Sequence, residues 1–268
     1  LTATPIPRTL QFSLLGARDL SVMTTPPQNR YPVQTEVIGI EDEDIIKEAI
    51  DLELARNGQV FVVNNRIEML ERIEHKIHRL CPEARIVTAH GQMNSDEMEK
   101  RLEAFINFDY DILISPTIIE SGVDIPNVNT MIIFSAQHYG LADLHQLRGR
   151  VGRGAEQSYC LLLTKLELSK DTRKRMDTMV ATNDGFRIAE VDLQLRGPGD
   201  LDGTQQSGLA FDLKIASLAT DGQLVDVARR AAEEVLADDP LLESEWNRIY
   251  KRHLDLLRQT QVHWGEIS

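Results

Sequence analysis

The chain has 268 residues, a formal net charge of −13, 42% hydrophobic residues and 26% charged residues. That composition is globular rather than disordered, and no uncharged apolar run is long enough to span a membrane. The acidic balance excludes indiscriminate binding to polyanions but not a local basic site, because phosphate affinity depends on where Lys and Arg lie.

The first residues, LTATPIPRTL, have neither the basic nor the apolar region of a secretory signal, so a cytoplasmic setting is expected. LTATP begins mid-pattern. IPRTLQFSLLG places Ile6, Leu10 and Leu14 at helical spacing, DLSVMTT reads as a strand, and PPQNRYP is linker chemistry. Residues 1–31 therefore read as the tail of a unit that began upstream.

From Pro32 strand and helix patterns alternate. PVQTEVIG is a strand, and EDEDIIKEAIDLELARNG is a helix that opens acidic and closes on Gly58. QVFVVNN is a buried strand. IEMLERIEHKIHRLCP sets Ile67, Leu70, Ile73 and Ile77 on one helical face and stops at Pro82. ARIVTAHG is a strand, and NSDEMEKRLEAFINFD is a helix with Asn94 and Glu97 spaced as a capping box. YDILIS, NTMIIFS and SYCLLLT are three further strands, with the helix GLADLHQLRG between the last two. This order predicts an α/β fold with an open parallel sheet covered on both faces. Beyond Thr164, LSKDTRKRMDTMVATND and GFRIAEVDLQLRG form a helical pair, and PGDLDGTQQSG is a glycine-rich loop. Two amphipathic helices, GQLVDVARRAAEEVLAD and LLESEWNRIYKRHLDLLRQT, make a mostly helical C-terminal region.

Cys81 and Cys160 form no CxxC pair and read as buried thiols, and the seven histidines show no ligand spacing, so no metal site is expected. Trp246 is expected in core packing or docked on a neighbouring domain. The chemistry concentrates in HQLRGRVGRG, where Arg148, Arg150 and Arg153 are interleaved with glycines. Guanidinium groups clamp phosphate oxygens bidentately, and Gly149 and Gly152 let the backbone turn close to a ligand. AHGQM, PTIIESGVDIPN and QLRGRVGRG are expected to converge at the carboxyl edge of the sheet, where open α/β sheets hold ligands.

TATPIPRTL, TIIESGVDIPN and QLRGRVGRG resemble motifs III, V and VI of superfamily 2 helicases, in order and spacing. The branch they resemble holds RecG and transcription-repair coupling factor. The resemblance implies a remnant of a first motor domain and linker at 1–31, and a second RecA-like helicase domain at 32–165. It further implies a translocation hairpin and loop at 166–210 and a C-terminal helical region at 211–268. It implies that Arg150 and Arg153 face the γ-phosphate of ATP, with Gln146, Gly122 and Asp124 on the nucleotide side. Thr2, Thr4, His90, Gly91 and Thr117 would couple to DNA, and Arg196, Gln205 and Gln206 would transmit motion. The implied partners are duplex or branched DNA, a first motor domain and, for a coupling factor, RNA polymerase.

The first half is more similar to coupling factor (GARDLSVMTTPPQNRYPVQTEV, HGQM). The second half is more similar to RecG (RVGRGAEQSYCLLLT, RGPGDL, VHWGEIS). The change falls in LRGRVGRG, as in a chimera or an intermediate lineage. Motif V opens on Pro116 where the family has a threonine, which removes a hydroxyl and an N–H and predicts a weaker grip on DNA. The chain contains no G-x-x-x-x-G-K-[ST] and no acidic motif II, so ATP and Mg2+ are expected only in an intact parent, and the chain alone is not expected to hydrolyse ATP. The competing expectation is a non-catalytic nucleic-acid-binding module whose arginines only hold phosphate.

Overall fold

The computed structural model describes residues 31–116, 125, 127–152, 154, 156–196 and 222–260. They fall into two compact units, 31–196 and 222–260. Among the described residues the first unit runs β1 (Gln34–Gly39), α1 (Glu43–Ala55), β2 (Gln59–Val63), α2 (Leu70–Leu80), β3 (Ile86–Thr88), α3 (Ser95–Ile106), β4 (Ile112–Ser115), β5 (Val128–Ile133), α4 (Leu141–Arg148), β6 (Tyr159–Thr164), α5 (Lys170–Ala181) and α6 (Gly185–Arg196). The second unit holds α7 (Gly222–Asp238) and α8 (Arg248–Thr260). The expected helix at 6–16, the strand at 19–25 and the loop at 198–208 lie outside the described residues.

The six strands form one sheet in the order β1-β6-β5-β2-β4-β3, and each pair is parallel. Strands buried on both faces carry apolar residues at every position rather than at alternate ones, as QVFVV does in β2. Val60 and Val62 enter one core with Ile46 and Ile50 of α1 and Ile73 and Ile77 of α2. Phe61 and Val63 enter the other with Phe105 of α3, Leu144 of α4, Met176 of α5 and Ile188 of α6. Helices thus cover both faces, the arrangement that the resemblance to a RecA-like motor domain implies. The helical pair α5–α6 shares its core with the sheet instead of standing apart from it.

Local chemistry ends each helix, and not always where the sequence pattern suggests. The residue of left-handed conformation after α1 is Asn57 (φ 57°), not Gly58; asparagine tolerates this region. Gly58 answers a different need, because a Cβ there would lie 1.7 Å from Glu53 Oε1. The Asn94 side chain does cap α3, accepting from the Asp96 N–H at 3.2 Å. Its expected partner Glu97 instead pairs with Arg101 at 2.6 Å. In the second unit α8 starts at Arg248 rather than near Leu241. Asp239 holds the intervening turn, its carboxylate accepting from the N–H groups of Glu243 and Ser244 and from Asn247 Nδ2. Those bonds keep its pKa far below the usual carboxylate range. Trp246 is 89% exposed, so core packing is not what holds it. Cys81 and Cys160 are buried thiols.

Candidate functional site

Because every strand runs the same way, the molecule has a carboxyl edge and an amino edge, and the predicted site residues divide between them. β3 ends at Thr88 and leads into His90 and Gly91; β4 ends at Ser115 and leads into Pro116. These residues lie at the carboxyl edge. A Cβ on Gly91 would meet nothing within 4 Å, and the residue is exposed. No internal contact therefore demands glycine here. The His90 Nδ1 is buried without a hydrogen-bond partner.

The arginine loop is elsewhere. α4 starts after β5 leaves the carboxyl edge, and its last residue, Arg148, returns the chain to the amino edge. There a Cβ on Gly152 would lie 2.8 Å from Val33 Cγ2, just ahead of β1. Gln157 Nε2 donates to the Pro32 carbonyl at 2.9 Å. The three segments therefore do not converge on one edge. The rule that ligands sit at carboxyl ends applies to loops after strands, and this loop follows a helix. The motif V segment joins the two regions: Pro116 follows β4 at the carboxyl edge, and Asn127, whose carbonyl accepts from the Gln59 N–H, lies at the amino edge.

Arg148 and Arg150 also differ in kind. Arg148 is 3% exposed and engaged by protein. Its Nη1 donates to Thr35 Oγ1 at 3.2 Å and to the Met179 carbonyl at 2.6 Å. Its Nη2 donates to the Thr182 carbonyl at 2.9 Å and lies 3.3 Å from His145 Nδ1. It is a structural residue, so crowding of all three arginines on phosphate is not the reason for its presence. A guanidinium has no acceptor, so His145 Nδ1 must be the acceptor and the imidazole neutral. Burial, then the charge of Arg148, pushes the His145 pKa down to about 4, against a smaller opposing effect of Asp184. Arg150 is half-buried, and no described residue engages its guanidinium. Gly152 takes φ 77°, a conformation glycine adopts without strain. Gly149 is right-handed (φ −67°) and simply ends α4.

Gln146 is exposed on α4, and Arg196 is the last residue of α6. Thr2, Thr4, Thr117, Gly122, Asp124, Arg153, Gln205 and Gln206 lie outside the described residues. The sequence pattern missed two arginines whose places the fold defines. Arg66 follows β2 at the carboxyl edge and is exposed, its N–H held by Asn64 Oδ1 at 2.9 Å. The signal was present in VVNNR, a polar triplet closing an apolar strand. Arg175 of α5 donates to the carbonyls of Tyr139 at 2.7 Å and Gln137 at 3.2 Å. Its backbone partners give no sequence signal. Among the described residues no helix is long and apolar enough to cross a membrane.

The family described as helicase conserved C-terminal domain matches residues 42–155, and that described as ATP-dependent DNA helicase RecG, domain 3, C-terminal, matches residues 182–268. The chain is 44% identical over 257 residues to a transcription-repair-coupling factor of Staphylococcus epidermidis, covering 91% of this chain and 21% of that protein. It is 44% identical over 253 residues to an ATP-dependent DNA helicase RecG of Synechocystis, covering 91% of this chain and 30% of that protein. It thus spans less than a third of the length of these relatives. A solved structure of RecG bound to a three-way DNA junction is similar at a TM-score of 0.66 and 35% identity, over 84% of this chain and 30% of that one. Motif order, parallel sheet and these likenesses agree: the chain belongs to the branch of superfamily 2 helicases that contains RecG and the transcription-repair-coupling factors.

Proposed function

We propose that this chain is the C-terminal motor portion of an ATP-dependent double-stranded DNA translocase that remodels stalled forks and branched DNA in repair and recombination. The observation that carries this reading is the placement of Arg150, unengaged by any described residue, on a glycine-turned loop away from the edge that bears His90, Gly91 and Pro116. One domain then has room for a nucleotide at one edge and DNA at the other.

In this reading Arg150 and Arg153 face the γ-phosphate of ATP held by a first motor domain, with Gln146, Gly122 and Asp124 beside them. Bound ATP supplies the phosphoryl transfer that drives the cycle. The arginines stabilise the charge that develops on the transferring group, an effect worth about 10³–10⁵ in rate for arginine fingers. In the same reading Mg2+ is held by the first motor domain. His90, Gly91 and Thr117, with Thr2 and Thr4, grip DNA, and Arg196, Gln205 and Gln206 carry the motion. A second reading rests on the equal identity, 44%, to coupling factor: the same motor would displace stalled RNA polymerase.

The test joins this chain to a RecG-type first motor domain and measures ATP turnover with duplex and three-way-junction DNA. DNA-stimulated turnover that Arg153→Ala abolishes is the expected result. DNA binding with no turnover, or turnover indifferent to Arg153→Ala, would leave a non-catalytic binding module instead.

A further inference from the structure

Phe108 closes α3 in a position that suits glycine. The Asp109 N–H donates to the Ala104 carbonyl at 2.9 Å, and the Phe108 N–H donates to the Phe105 carbonyl at 3.1 Å. This pair of hydrogen bonds ends a helix through one left-handed residue, and glycine usually supplies it. Phe108 supplies it instead, at φ 64°, where the Cβ crowds the following carbonyl oxygen. The ring gains little from the fold in return. It is 41% exposed, and no described aromatic ring stacks on it. Ile106, two residues before it, is 36% exposed. An exposed aromatic side chain held in a disfavoured backbone conformation points to a task outside folding.

The place of Phe108 in the fold indicates the ligand. α3 and α4 pack on the same face of the sheet. Both return the chain to the amino edge, α3 to β4 through Phe108 and α4 to β6 through Arg150. In the sheet order β6-β5-β2-β4 these two entries are three strand spacings apart, roughly 14 Å. That span is comparable to the reach of an extended nucleoside triphosphate from its γ-phosphate to its base. Asn57 stands at the entry to β2, the strand beside β4, and is exposed. Its side-chain amide carries both donors and an acceptor, as the edge of a base requires. We infer that Phe108 is a nucleobase-stacking residue, at the far end of a nucleotide site whose phosphate end is Arg150. This deepens the proposed motor function and rests on it. Stacking uses the π face that every base has, so an aliphatic side chain of similar size does not replace the ring.

The test titrates the chain joined to a first motor domain, in the presence of duplex DNA, with two ligands. One is a non-hydrolysable ATP analogue, and the other is the same triphosphate and ribose without the base. Phe108→Asn removes the ring and leaves a residue that tolerates the left-handed region. Phe108→Leu keeps apolar bulk without a π face, and Phe108→Trp restores a ring. Phe108→Asn is expected to melt no lower than wild type and to bind the ATP analogue about five- to a hundredfold more weakly. It should bind the base-free ligand as wild type does. Phe108→Leu should show the same selective loss, and Phe108→Trp should bind the ATP analogue within about threefold of wild type. An unchanged affinity of Phe108→Asn for the ATP analogue would overturn the inference. So would an equal loss of both ligands, which would put Phe108 in the contact between motor domains, or full affinity in Phe108→Leu, which would make it a plain apolar contact. DNA-stimulated ATP turnover of the wild-type fusion is measured alongside. Its absence would refute the motor reading, while the titrations would still decide for or against stacking. A wild-type fusion that binds neither ligand would overturn both.

Discussion

The Glu53 carboxylate, with no exposed surface, accepts a hydrogen bond from Asn129 Nδ2 at 3.2 Å. Thr130 Oγ1 and Arg56 Nη2 and Nε complete its shell, and Arg56 Nη1 reaches the Gln157 carbonyl at 2.7 Å. This network ties the end of α1 to β5 and to the segment entering β6. Removing the counter-charge from a buried carboxylate costs more than removing the carboxylate's own charge. Arg56→Ala is expected to lower stability by about 3–5 kcal/mol, and Glu53→Gln by about 1–3 kcal/mol. Urea unfolding of the chain checks the order; equal losses would mean that Arg56, partly open to water, contributes little.

Gly152 and Gly149 look alike in sequence and differ in structure. At Gly152 both the backbone (φ 77°) and the neighbouring Val33 oppose a side chain. Gly152→Ala should destabilise by about 1–3 kcal/mol. At Gly149 the backbone is helical, and a Cβ would lie 3.3 Å from the His145 carbonyl, so Gly149→Ala should cost less than about 1 kcal/mol. Thermal melts of the two variants settle the comparison, and the reverse order would count against the loop geometry.

Strands and helices from Gln34 to Arg196 were legible because burial on two faces writes continuous apolar runs into the strands and a 3.6-residue period into the helices. What could not be read depends on contacts between distant segments. Nothing in HQLRGRVGRG says that Arg148 points at the end of α5 while Arg150 does not. That follows from where Met179 and Thr182 come to rest. Gly58 reads as a helix stop, yet its need for a missing side chain comes from Glu53 and the network above. The late start of α8 follows from Asp239, whose carboxylate offers the backbone a turn where the apolar period alone offers a helix. The edge occupied by each loop was a topological consequence that motif spacing does not encode.

His145 supplies a pH dependence with a definite sign. Its folded pKa, pushed to about 4, is below the ordinary 6.5. Between these values the unfolded chain binds a proton that the folded chain refuses, so stability falls as pH drops from about 6.5 towards 4 and is flat above. His145→Gln keeps an acceptor for Arg148 and cannot titrate. The wild type should lose more stability between pH 7 and pH 5 than this variant, measured by urea midpoints. Parallel losses would show that His145 is open enough to take its proton in the folded state.

Arg150 should separate stability from activity. No described residue engages the Arg150 guanidinium, so Arg150→Ala should shift stability by no more than about 0.5 kcal/mol. The same change should lower ATP turnover in the joined motor by about 10³ or more. Calorimetry and turnover on one preparation test both halves. A turnover within tenfold of wild type would remove Arg150 from the phosphate.

Pro116 bears on DNA grip through what it lacks. It follows directly on Ser115, whose carbonyl accepts from the Asn64 N–H at 3.3 Å, so the backbone entering this position is held by β2. A threonine there would offer a hydroxyl and an N–H at the carboxyl edge, beside His90 and Gly91 in the proposed DNA groove. One net hydrogen bond of about 0.5–1.5 kcal/mol corresponds to roughly two- to tenfold in affinity. Pro116→Thr is therefore expected to tighten duplex binding by that factor. Because threonine adds no charge, no further counterions are released, and the slope of affinity against salt should stay the same. Fluorescence titrations at two salt concentrations separate the outcomes. A tighter complex with an unchanged slope places a neutral donor on the DNA backbone at this position. Equal affinities would mean that the chain passes Pro116 out of reach of DNA, and a changed slope would mean that the substitution had moved a neighbouring cation instead.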